Sequence, residues 1–297
     1  MVRVLIIIVT YNGEKFIRKC LSSIDRVKYD VLVIDNKSSD DTIRIIKSEF
    51  PDVMLSIQSQ NSGFGQANNI GLKKVIREGY DYALLLNQDA WVLENTIDDL
   101  IKAQQEHPAF WVLSPLQMHS SEGGIEKQFA SYLKNAHIDP SSKQVEPIAF
   151  VNAAIWLMTI DCIKKVGGFD PLFPHYGEDN DYVNRVVCWG GKVGVEPSVI
   201  AYHDKDLGNK AISIDKNIYR TTLAYIGSVK NPNHSIAYGY FKCVQLCLRK
   251  TVKALLTMDM TLMHINGAAM RNVFKLTHQI MEHRKLSFEE RAFLNKI

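Results

Sequence analysis

Continuous apolar runs that alternate with segments of helical period constrain this chain more than any other feature. The runs are Val2–Val9, Val31–Asp35, Val53–Ile57, Tyr82–Leu86 and Phe110–Leu113. Between them Phe16, Ile17, Cys20, Leu21 and Ile24 recur at helical spacing, as do Ile43, Ile46 and Phe50. Asp40 and Asn95 are expected to cap two of the helices. A strand that is apolar along its whole length has both faces covered, so the pattern predicts an α/β fold with a mostly parallel sheet between helices. Ligands of such sheets gather where the strands end at their carboxyl side.

After a polar stretch, Gln117–Pro147, the pattern resumes with the apolar run Ile148–Ile160 and a short helix. Gly167-Gly168-Phe169-Asp170, a helix from about Glu178 and a strand over Lys192–Tyr202 follow. From about Ile212 the period is helical to the end. This divides the chain into residues 1–205, with halves 1–114 and 115–205, and a helical C-terminal region, 206–297. A net charge of +3 lacks the basic footprint of a nucleic-acid binder. The five cysteines form no CxxC pair, which predicts reduced thiols and a cytoplasmic protein. The first apolar run is too short for a signal sequence, and Ile148–Ile160 falls short of the ~20 residues a spanning helix needs.

Polar clusters stand where the runs end. Thr10-Tyr11-Asn12 follows the first, Asp35-Asn36 the second and Asn87-Gln88-Asp89 the fourth. A Gly/Asn loop, Asn61-Ser62-Gly63-Phe64-Gly65-Gln66-Ala67-Asn68-Asn69, follows the third. Gly177-Glu178-Asp179-Asn180-Asp181 opens a helix in the second half, and His203 closes the last strand. Gly63-x-Gly65 lacks the third glycine and the position of a dinucleotide fingerprint. Asp89 at a strand end is a hard-oxygen ligand suited to Mg²⁺ or Mn²⁺, although aspartates also favour turns. The acids at 178–181 also suit the helix dipole, and Asp181 is spaced to pair with Arg185.

Together these motifs, over residues 2 to 205, resemble family 2 glycosyltransferases of the GT-A fold, in particular the bacterial rhamnosyltransferase-like branch. The resemblance implies an inverting transfer of a sugar from a nucleotide-diphosphate donor, dTDP-rhamnose first and a UDP-hexose second, to a glycan or lipid-linked acceptor in surface polysaccharide synthesis. It assigns the general base to Asp179, with Glu178 supporting and Asp181 structural or acceptor-binding. Thr10, Tyr11, Asn12, Asp35, Asn61, Gly63, Asn68, Asn87 and Gln88 would line the nucleotide-sugar site. Asp89, at the position of a D-x-D motif that departs at Asn87, and His203 would hold Mg²⁺ or Mn²⁺. A non-catalytic nucleotide-sugar scaffold and a nucleotidyltransferase are the rivals, although the latter needs a basic phosphate loop that Thr10–Gly13 does not offer.

Trp156 and Trp189 are expected in the core, and His175 and Tyr176 near the acceptor. In the last third, Phe241, Val244, Leu248, Val252 and Leu255 share one helical face, with Lys242, Arg249 and Lys253 beside it. That face suits packing within the chain, a homodimer, or peripheral contact with the anionic inner face of a membrane.

Overall fold

A computed structural model describes residues 2–120, 123–134, 136, 138–142, 144–204 and 213–294. Its sheet begins with β1 (Val4–Thr10), β2 (Asp30–Asp35), β3 (Met54–Ile57) and β4 (Tyr82–Leu86), all parallel in the order β3-β2-β1-β4. Leu5, Ile6, Ile7 and Ile8 of β1 are fully buried, which explains why this strand reads as unbroken apolar sequence. Each such side chain contributes about 1.5–3 kcal/mol of burial. Helices α1 (Ile17–Ser22), α2 (Thr42–Glu49) and α3 (Phe64–Glu78) join these strands.

Beyond β4 the directions mix. A short β5 (Ala90–Val92) and α4 (Thr96–Glu106) precede β6 (Phe110–Met118). After α5 (Lys127–Tyr132) and β7 (Glu146–Pro147), β8 (Ile155–Thr159) enters antiparallel between β4 and β6. Then come α6 (Ile160–Val166), α7 (Glu178–Cys188) and β9 (Lys192–His203). β9 runs parallel to β6 and antiparallel to β5 and β7. The parallel character thus holds for β1–β4 and the β6–β9 pair. The apolar run 148–160 is not one element, since its strand starts only at Ile155 and its helix at Ile160.

The two expected caps differ in detail. α2 starts after Asp41, and Asp40 instead accepts from the backbone of Thr42 at 3.1 Å and Glu14 at 3.1 Å. Asn95 holds the cap position of α4 without a side-chain bond. The hydroxyl of Thr96 accepts from Leu93 N at 3.0 Å and donates to Ile200 O at 2.9 Å. Trp156 is fully buried, and Trp189 is partly buried with its indole N–H donating to Ser287 O at 3.1 Å.

The C-terminal region consists of α8 (Ile214–Lys230), α9 (Ile236–Leu256), α10 (Met260–Lys275) and α11 (Thr277–Leu286). The division at 205/206 lies outside the described residues. These helices share a core of Leu223, Ile226, Val229, Cys243 and Val273 that also takes in Phe173 from the sheet-bearing part. The closing residues then return to the sheet layer. Gly168 N donates to Ala292 O at 2.8 Å, Arg291 N donates to Lys164 O at 3.1 Å, and Leu294 joins the core around Val166. Gly167 has φ +86°, and a Cβ there would lie 2.0 Å from the Ala292 carbonyl, so the clasp requires glycine.

A buried ionic network fastens the two regions. Lys230 Nζ, at the end of α8, lies 2.8 Å from Asp170 Oδ2 and 2.6 Å from Asp181 Oδ1. It also donates to Ser287 Oγ at 3.0 Å. Arg185 pairs with Asp181 at 2.9 Å, and His283 Nδ1 stands 2.6 Å from Asp170 Oδ1. Burial would raise the Asp170 carboxyl, but Lys230 and His283 hold it below its ordinary value.

Candidate active site

The carboxyl ends of β1, β2 and β4 are laced together by side chains. Gln88 Oε1 accepts from Thr10 Oγ1 at 2.6 Å and from Tyr11 N at 3.0 Å. Asn36 N donates to Thr10 O at 2.8 Å, and its Nδ2 donates to Gly63 O at 3.1 Å. Asn12, at φ 49°, accepts on Oδ1 from Ser39 N at 2.8 Å. Asn61 Oδ1 accepts from Gly63 N at 3.0 Å, and Asn68, buried in α3, donates to Phe64 O at 3.0 Å. These bonds of Asn12, Asn61, Asn68 and Gln88 fix the loops. Tyr11 stands exposed at the rim, and Asn87 adds an amide where a second carboxylate would sit.

Asp35 is fully buried. Its Oδ1 accepts from Ser38 N at 2.9 Å, and among the described residues its Oδ2 has no hydrogen-bond partner. An unsatisfied buried acceptor is costly, by about 1–3 kcal/mol, unless a ligand N–H completes it.

Asp89 and His203 are brought together by the pairing of β5 with β9, in which Ala90 faces His203. His203 Nε2 lies 3.4 Å from Asp89 Oδ1. The ring is 2% exposed, and among the described residues neither nitrogen has a hydrogen-bond partner. Among the described residues no group of three or more His, Cys, Asp or Glu side chains could hold a metal ion. The Asp89 carboxylate nevertheless fits Mg²⁺ or Mn²⁺, ions that take few protein ligands and complete their shell with phosphate and water, and the imidazole beside it suits Mn²⁺ better than Mg²⁺. A cavity of about 220 Å³ beside Asp89 is lined by Lys15, Phe16, Lys19, Trp91 and Asp204. The ammonium of Lys19 sits 3.1 Å above the Trp91 ring. These two lysines were not singled out from sequence. Their signal was an i, i+4 pair just after the first strand.

The acid cluster faces the same rim. A Cβ on Gly63, whose φ is +86°, would fall 2.0 Å from Pro174 O, and Gly65 packs beside Phe169 and Glu178. The loop after β3 therefore touches the loop that leads into α7. The α7 N-terminus, favourable to negative charge, carries Glu178 and Asp179. Asp181 is buried against Arg185 and Lys230 and presents almost no surface to an acceptor. Glu178 is raised to about 7, first by burial and then by the charge of Asp179, and among the described residues its Oε2 has no hydrogen-bond partner. Tyr132 of α5 is raised to about 12 by burial, with the Asp179 charge adding to it. α5 thus brings part of the polar stretch 117–147 into the electrostatic reach of Asp179. Tyr176, at φ 73°, lies under the Arg220 guanidinium at 4.8 Å on a cleft of about 450 Å³ shared with Asn180, Asn184 and Asn231. His175 is exposed, with its ring near Gly63.

The folded state holds the Glu178 proton more tightly than an unfolded chain with the ordinary value of 4.5. That stabilising advantage is complete below 4.5 and is lost as pH rises through about 7. Glu178→Gln is therefore expected to gain thermal stability relative to the parent between pH 5 and 8. Parallel melting curves over that range would contradict this placement of the carboxyl.

A parallel β3-β2-β1-β4 sheet continued by mixed strands, with carboxylates where its strands end and an acid cluster at the start of a later helix, is the architecture of the GT-A fold. A family model for glycosyl transferase family 2 matches residues 5–161, just over half of the chain, and the chain belongs to that family. Among relatives, glycosyltransferase SunS of Bacillus subtilis is 40% identical over 62 residues, 21% of this chain and 15% of that protein. Glycosyltransferase GlyA of Streptococcus pneumoniae is 30% identical over 112 residues, 36% of this chain and 16% of that protein. The chain thus spans only a small part of those relatives' length. An N-acetylglucosaminyl-diphospho-decaprenol L-rhamnosyltransferase of Mycobacterium tuberculosis is 24% identical over 67% of this chain and 75% of its own length.

Solved structures of similar fold include S. aureus TarS 1-349 in complex with UDP, with TM-score 0.56 and 18% identity, over 80% of this chain and 68% of that one. The Pyrobaculum calidifontis mannosyltransferase PcManGT, in complex with GDP-Man and Mn²⁺, has TM-score 0.57 and 16% identity over 92% and 87%. At these identities the likeness establishes the fold. Among the described residues no helix is long and apolar enough to cross a membrane.

Proposed function

We propose that this glycosyltransferase transfers a sugar, with inversion, from a nucleotide-diphosphate donor to a hydroxyl of a glycan or lipid-linked acceptor in surface polysaccharide synthesis. The observation that carries the reading is the unsatisfied buried polarity along one rim, at Asp35 Oδ2 and the His203 ring beside Asp89. Both await a ligand, and the acid pair at the start of α7 adjoins the same rim. Residues 1–205 would form the catalytic unit. A rhamnosyl donor, dTDP-rhamnose, is the first choice because the mycobacterial relative is named for rhamnosyl transfer. A UDP-hexose is the second because TarS binds UDP-GlcNAc.

In this mechanism Asp35 accepts an N–H of the base, and Lys15 and Lys19 oppose the diphosphate charge. Asp89 and His203 would hold Mg²⁺ or Mn²⁺, which when bound neutralises the negative charge that develops on the leaving diphosphate. Asp179 takes the proton of the acceptor hydroxyl as its oxygen bonds to the anomeric carbon. The bond from that carbon to the diphosphate oxygen breaks, and the electron pair leaves with the nucleotide. Attack opposite the leaving group inverts the anomeric configuration.

Thermal unfolding against a panel of nucleotide sugars, with and without Mn²⁺ or Mg²⁺, tests the reading. A donor at 100 times its dissociation constant is expected to stabilise the fold by about 2.7 kcal/mol. The metal-dependent part of that shift is expected to disappear in Asp89→Ala. A shift that Asp89→Ala leaves unchanged would remove Asp89 from the metal site. The absence of a shift with every donor would overturn nucleotide-sugar binding, whereas a shift without transfer would favour the non-catalytic scaffold, to which the uncharged Asn87 points.

A further inference from the structure

Among the described residues, none covers the apolar face of α9. Phe241, Val244, Leu248, Val252 and Leu255 are all exposed, while the opposite side of the helix, with Cys243 and Ala254, is buried against its neighbours. The stripe from Phe241 to Leu255 is about 21 Å long at 1.5 Å per residue. It continues into the turn to α10, where Leu256 is 82% exposed, Met258 89% and Met260 71%. A run of large apolar side chains on one helix face and its adjoining turn exceeds the scattered exposure of ordinary surfaces.

Charge selects the occupant. Ile236–Lys275 carries Lys242, Arg249, Lys250, Lys253, Arg271 and Lys275 against a single acid, Asp259. At 100° per residue Lys242, Arg249 and Lys253 form one stripe along the flank of the apolar face, and Arg249 and Lys253 are exposed. A second copy docked by two-fold symmetry would set this patch against itself, bringing like charges together with only Asp259, in the turn at its end, to answer them. An anionic bilayer answers both features, since acyl chains take the apolar stripe and the Leu256–Met260 turn while headgroups take the basic flank.

We propose that α9 and the turn after it dock this protein on an anionic membrane surface, with the helix lying in the interface. The inference stands apart from the catalytic reading and can fail without it.

The test is co-sedimentation of the full chain with vesicles of phosphatidylcholine alone or of phosphatidylcholine with phosphatidylglycerol. Binding is expected only to the phosphatidylglycerol vesicles and is expected to weaken in high salt. The triple variant Lys242→Gln, Arg249→Gln, Lys253→Gln is expected to partition about a hundredfold more weakly, at roughly fivefold per basic residue. Leu248→Ser with Met258→Ser is expected to lose binding while keeping the parent's melting temperature, because both side chains are exposed. Equal binding to both vesicle types, or binding to neither, overturns the proposal. A dimer that Leu248→Ser dissociates, with no vesicle binding, assigns the face to a second copy instead.

Discussion

Asp179→Asn is expected to lower the transfer rate by about 10²–10⁴-fold while donor affinity stays near that of the parent. The change removes one charge and keeps the shape, so the α7 N-terminus retains its fold. Asp179 Oδ1 accepts from the Asn180 backbone at 2.8 Å, a bond the asparagine carbonyl can reproduce. The loss should therefore fall on kcat, with the thermal shift by donor preserved. Single-turnover rates beside donor-induced melting shifts measure the two separately. A variant that keeps more than a tenth of the parent's rate would move the base elsewhere, and Glu178, raised to about 7 in the same cluster, would be the next residue to replace.

The second large effect concerns stability. Lys230→Met is expected to cost about 3–5 kcal/mol, because it leaves Asp170 and Asp181 buried with less positive charge than they need. Arg185 still answers Asp181 and His283 still answers Asp170, so the fold is expected to weaken rather than vanish. Denaturant midpoints measure the loss. Adding Asp170→Asn to Lys230→Met should recover part of it, as coupled partners in one network do. A cost below about 0.5 kcal/mol, typical of surface changes, would mean that the network does not fasten the helices to the sheet.

The sheet of the first half was legible because β1, β2 and β4 are buried on both faces and so are written as apolar runs. Three elements were not. β5 has three residues, and β7 has two. α5 lies in a polar stretch and is capped by Glu126, whose buried carboxylate accepts from Gln128 N and Phe129 N. No period can emerge from elements so short. At the site, the meeting of Asp89 with His203 depends on the pairing of β5 with β9, so both residues could be named from sequence but not their separation. Lys230 carried no local signal at all. Its partners lie 49 and 60 residues away in sequence, and a helix-terminal lysine ordinarily faces water. Gly63 was read as a donor contact, whereas its φ of +86° and the Pro174 carbonyl already explain why nothing larger fits there.

The clasp formed by Gly167, Gly168 and Ala292 bears on how the molecule handles load. The helical region follows β9 and is tied back to the sheet-bearing part near both of its ends, by Lys230 against Asp181 of α7 and by the closing residues against Lys164 and Gly168. A segment held at both ends behaves as a bracket, where a segment held at one end would be a pendant. Torque applied to α9 is shared between these anchor points. Whatever seats itself on α9 therefore sets the bearing of the whole sheet, and the cleft's heading and height above that seat are dimensions of the fold rather than of a tether.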